Sequence, residues 1–143
     1  MKKIISIVMA CFLAFLLVGC NKENNENKKE ENNEKKKIEE TIKALYSNDD
    51  KLVYDNGGIY KIVVYYEGNK VTGIENYYEY KDEKEAKSKL DEKKEFLKDD
   101  SSVKSILRSG KFVVVVYSNS EYKDKTVEDI QNNYSSLKPV YNK

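Results

Sequence analysis

The sequence predicts an α+β domain, built as an antiparallel sheet of four to five strands with helices packed on one face. Three observations carry that expectation. Residues 59–80 read as two strand-like segments about a Gly68-Asn69 turn signal, and residues 103–118 as another pair about Ser109-Gly110. Each of these hairpins is followed by a helix-start signal, Asp82 with Glu85 and Thr126 with Asp129. Every plausible core residue falls between Ile38 and Lys143, so one domain of 38–143 is expected.

Taken in order, Ile38, Ile42 and Leu45 recur at helical spacing and predict a short amphipathic helix ending near Ser47-Asn48. Leu52-Val53-Tyr54 reads as a brief strand before the turn Asp55-Asn56-Gly57-Gly58. Ile59–Glu67 is strand-like, with Tyr60, Ile62, Val64 and Tyr66 on one face, and Lys70–Tyr80 returns beside it. The next helix turns Ala86, Leu90 and Leu97 inward. Val103–Arg108 and Lys111–Ser118 form the second hairpin. A last helix aligns Val127, Ile130 and Tyr134, and Pro139 is expected to end it.

The hairpins repeat one another. Glu79-Tyr80-Lys81-Asp82 recurs as Glu121-Tyr122-Lys123-Asp124, and the same offset of 42 separates Gly68 from Gly110 and Val71 from Val113. One strand-turn-strand-helix unit is therefore expected twice, each completing a core the other cannot close alone.

The chain begins with Met1-Lys2-Lys3 and an apolar run, Ile4–Val18, broken by Ser6. That run is short for a bilayer span and has the layout of a secretory signal. It ends Leu17-Val18-Gly19-Cys20, which resembles the lipobox of bacterial lipoproteins. The resemblance implies cleavage after residue 19, acylation of the Cys20 thiol, and a protein held by lipid on the extracytoplasmic face of the cell membrane. Two or more acyl chains make such an anchor stable, at about 0.8 kcal/mol for each buried methylene. Cys11 would leave with the signal, so no disulfide is expected. Residues 21–37 hold six Asn, six Lys, five Glu and nothing apolar, which predicts an unstructured spacer.

The order of elements is similar to that of the YehR-type family of small bacterial lipoproteins, which combine a lipobox, a polar spacer and strand pairs each followed by a helix. The stretches that carry the likeness are Tyr65-Tyr66-Glu67-Gly68-Asn69-Lys70-Val71-Thr72 and Glu83-Lys84-Glu85-Ala86-Lys87. The helix at Ile38 departs from the family pattern, and the family brings no activity to carry over.

Composition narrows the chemistry. With 26 Lys+Arg against 25 Asp+Glu, the net charge is +1, too small a field for a nucleic-acid partner. There is no His, the commonest general base and metal ligand. No nucleophile motif, phosphate loop or zinc spacing occurs, so neither cofactor nor metal is expected. Acid pairs stand at Asp49-Asp50 and Asp99-Asp100, where solvated loops are the plain reading. The twelve tyrosines are the unusual feature. Strand alternation sets Tyr65 against Tyr66 and Tyr77 against Tyr78, so Tyr65 and Tyr77 are expected on a sheet face open to water. Such a surface suits stacking on a cell-wall glycan or packing on a protein. The sequence therefore reads as a membrane-anchored, non-enzymatic binding module. The alternative is a small cell-surface hydrolase using Glu75, Glu79 or a neighbouring acid.

Overall fold

β-branched and aromatic residues crowd the strand segments, and these segments pair edge to edge. The computed structural model describes residues 29–45 and 51–140. The chain divides into two units, Met1–Lys37 and Ile38–Lys143. Helix α1 occupies residues 29–43. There follow β1 (Lys51–Asp55), β2 (Lys61–Glu67), β3 (Lys70–Glu79), α2 (Glu83–Phe96), β4 (Val103–Ser109) and β5 (Phe112–Tyr117). A 3-10 turn at Asn119–Glu121 leads to α3 (Val127–Asn133) and a two-residue strand, β6 (Lys138–Pro139).

The fold is α+β, with one open antiparallel sheet in the order β4-β5-β3-β2-β1-β6. Six strands replace the expected four to five. β1 is a full strand whose five residues all pair with β2, from Lys51↔Tyr65 to Asp55↔Lys61. β6 adds only Tyr54↔Pro139 and Asp55↔Lys138, a segment too short to show a period in sequence. Pro139 was expected to end the last helix; instead α3 stops at Asn133 and Pro139 lies in that edge strand. An edge position suits proline, whose missing N–H removes no ladder bond there.

Both turn glycines earn their place by backbone conformation. Gly68 and Gly110 have φ of 58° and 53°, the left-handed region in which a side chain is strained. Both helix starts form as the sequence implies. Asp82 accepts from the Glu85 amide at 2.8 Å, and Thr126 and Asp129 make a reciprocal capping box.

The sheet has a core on each face. Ile130 of α3 packs with Tyr54, Ile62, Val64, Val71 and Ile74 on one face. α2 lies on this side too, with Lys93 Nζ 3.7 Å from the centre of the Tyr78 ring and Ala86 fully buried. The opposite face presents Val53, Val63, Tyr77 and Val114, and Ile38 and Leu45 close over it with Ile42. The amphipathic spacing at Ile38 thus serves to cover the second face.

Residues 29–37, expected as unstructured spacer, are helical. Lys and Glu are good helix formers, and Glu31–Lys35 bridge one turn at 2.6 Å. The expected signal 1–19, Cys20, residues 21–28 of the expected spacer and Asp49-Asp50 lie outside the described residues. Among the described residues no helix is long and apolar enough to cross a membrane.

Candidate functional site

The strand period of two sends Tyr65, Glu75 and Tyr77 to the sheet face that α1 covers. β2 supplies Tyr65, and β3 supplies Glu75 and Tyr77 two residues apart. Thr41 reaches down from α1, and its hydroxyl is hydrogen-bonded to the Tyr65 phenol. The Tyr65 hydroxyl donates to Glu75 Oε2 at 2.9 Å, and Tyr77 donates to the same oxygen at 2.7 Å. The two phenol oxygens stand 3.4 Å apart. Thr41 is 5 % exposed, Glu75 3 % and Tyr77 1 %, while Tyr65 is half-buried. Lys51 is buried as well, on the position paired with Tyr65 in the β1–β2 ladder.

The open Tyr65/Tyr77 surface expected from sequence is therefore corrected. Tyr77 is fully buried and Tyr65 half-buried, because α1 seats Ile38 and Leu45 on the same face. Neither ring stands on an open sheet face. Alternation placed the two tyrosines together, but not the helix that covers them.

The cluster's chemistry is that of a held donor set. Burial raises the pKa of both the Tyr65 and Tyr77 phenols well above the ordinary 10.0, and the neighbouring Glu75 charge raises them further. Both stay protonated and act as donors. On the other face, buried Asn76 donates Nδ2 to the Tyr117 hydroxyl at 2.9 Å, and burial pushes that phenol up to about 12. Tyr60 and Tyr78 stack with ring centres 4.7 Å apart beneath Lys93, whose own pKa burial lowers.

The acids named for hydrolysis do not converge. Glu75 is enclosed under α1, whereas Glu79 is exposed and pairs with Lys111 at 2.6 Å. Asp100 of the Asp99-Asp100 pair caps its own turn, accepting from the Ser102 amide at 2.9 Å and hydroxyl at 2.6 Å. Those bonds hold its carboxyl below the usual range. Among the described residues no three acids or cysteines gather as a cation site.

A groove of about 500 Å³ opens beside this layer, between α1 and the second hairpin, lined by Glu39, Ile42, Lys43, Lys111 and Phe112 among others. Glu75 does not line it. Thr41 and Lys51 are the cluster members that sequence reasoning missed. Thr41 sits between Ile38 and Ile42 on the apolar stripe, and Lys51 opens the apolar strand β1; in retrospect these are the readable signals. No family model, curated protein or solved structure matches this chain.

Proposed function

We propose that this chain is a lipid-anchored, extracytoplasmic protein whose folded domain is a non-enzymatic interaction module. The observation that carries the reading is Leu17-Val18-Gly19-Cys20 at the end of a short apolar run behind two lysines. Acylated there, the protein is held at the membrane by the Cys20 lipid, with its domain presented to a protein or to cell-wall glycan.

The interaction reading is supported by how the domain uses its acids. Among the described residues the one buried carboxyl group, Glu75, gives Oε2 to two phenols beneath α1. Its surface acids cap turns or pair with lysines, as Asp100 and Glu79 do. Polar groups spent in this way build a fold, and Glu75 itself is only 3 % exposed.

Metabolic labelling with an alkyne fatty acid tests the anchor. The wild-type chain takes the label and fractionates with membranes, and Cys20→Ser loses both. Persistent membrane association of Cys20→Ser without label would make the apolar run an ordinary membrane helix. For the module, photo-cross-linkers placed across the domain of the full chain in cells should capture a protein or glycan; capture of nothing would remove the reading.

A further inference from the structure

We infer that the groove between α2 and the end of β3 binds a sugar ring bearing a carboxylate, with Lys93 as the anion contact and Tyr80 and Phe96 as walls for the ring. This names a ligand class for the interaction module and rests on that reading. The first observation is the groove itself, about 500 Å³ in volume and lined by Tyr80, Lys89, Glu92, Lys93 and Phe96. That is the size of a small-ligand site rather than of a protein footprint. Tyr80 continues β3 through its amide bond to the Lys111 carbonyl, so the strand period puts it on the side of Tyr78, away from the Thr41–Glu75 layer.

The second observation is a cation without an acid. Lys93 is half-buried, and its Nζ sits 3.7 Å from the centre of the Tyr78 ring, with the Tyr60 ring 4.7 Å from that of Tyr78. A ring face attracts an ammonium but gives no oxygen to its three N–H groups. Among the described residues no carboxylate is paired with Lys93, and the adjacent Glu92 is bound to Lys89 at 2.6 Å. Burial holds the Lys93 pKa below its ordinary value despite the Glu92 charge. Lys89 and Glu92 cancel, so the positive charge left in the lining is that of Lys93.

Rings and charge together select the occupant. Phe96 ends α2 and is exposed, and half-buried Tyr80 lines the same groove. A pyranose presents an apolar C–H face to an aromatic plane and a polar edge around it, which suits two rings beside one cation. A neutral sugar would leave Lys93 unmet. An anionic leaflet would spread over Asp91 and Glu95, exposed acids of the same helix, and meet like charge there. A single carboxylate on a ring reaches Lys93 without covering them.

The test uses the full chain in detergent micelles and two disaccharides that differ by one group. N-acetylglucosamine joined to N-acetylmuramic acid carries a lactyl carboxylate, and chitobiose lacks it. The acidic sugar should shift the amide resonances of Tyr80 and residues 89–96 and bind roughly tenfold tighter than chitobiose at low salt. Lys93→Met keeps an apolar stem over Tyr78 and should make the two sugars bind alike. Lys94→Met, exposed on the same helix but outside the groove's lining, should keep the preference. Phe96→Ala should weaken both sugars together and leave their ratio standing, since Phe96 serves the ring and not the charge. Equal binding of the two sugars, binding of neither, or loss of the preference in Lys94→Met overturns the proposal. So do the same shifts with acetate alone, which would show a bare anion site, or on doping sugar-free micelles with phosphatidylglycerol, which would give the groove to a lipid. Cellular cross-links to a partner with both sugars inert would overturn this site and leave the interaction module standing, whereas the absence of any cross-link would remove the module itself.

Discussion

Glu75 sets the terms at the scale of single residues. A carboxyl group taken out of water is tolerated only when its oxygens are satisfied, and here Tyr65 and Tyr77 both donate to Oε2. Tyr77→Phe removes one donor from a buried acceptor and should cost about 1–3 kcal/mol in urea unfolding. Thr41→Val keeps the shape but removes a bond whose partner, Tyr65, retains Glu75; about 0.5–1.5 kcal/mol is expected. An equal loss from both changes would show that Glu75 does not organise the cluster. The phenols also fix a pH response. Their folded-state pKa is raised above the unfolded 10.0, so the stability they contribute is complete below pH 10 and is lost as pH rises beyond it. Absorbance at tyrosinate wavelengths should show Tyr65 and Tyr77 silent through pH 10 and ionising only with unfolding. Their titration near pH 10 in the folded protein would contradict the burial.

At the scale of elements, the hairpins were legible because each carries its own instruction. Runs of β-branched and aromatic residues set the strands, and a glycine at positive φ sets each turn. Both helix starts were legible for the same reason, since a cap is a local hydrogen bond. Thr126→Ala should therefore destabilise α3 by about 1 kcal/mol, read as faster amide exchange over Val127–Asn133. Unchanged exchange there would mean that packing of Ile130 alone holds the helix. What escaped the sequence was non-local. β6 exists only because Tyr54 and Asp55 offer it an edge, and two residues cannot announce a strand. The fate of Tyr65 and Tyr77 depended on where α1 docks. The Ile38, Ile42, Leu45 stripe declares that the helix has an apolar side, but not which sheet face receives it.

At the scale of the whole molecule, α1 decides whether the sheet has one protected face or two. α2 and α3 cover one side, and residues 38–45 cover the other with Ile38 and Leu45, each only 2 % exposed. A domain near a hundred residues has about 5–15 kcal/mol of stability in total, so the loss of one well-buried side chain in this cover is measurable against it. Ile38→Ala removes a buried aliphatic side chain and should cost about 2–5 kcal/mol, lowering the urea midpoint sharply. Phe96→Ala is the matched control, because Phe96 is 83 % exposed and its loss should stay within about 0.5 kcal/mol. The two outcomes also separate in spectroscopy. Loosening α1 lets water reach Tyr65 and Tyr77, so Ile38→Ala should bring their ionisation back towards 10.0, where burial had raised it. Phe96→Ala should leave it untouched. If Ile38→Ala unfolds at the wild-type urea midpoint with its phenols still silent, α1 is not what closes this face, and the enclosure of Glu75 needs another cause.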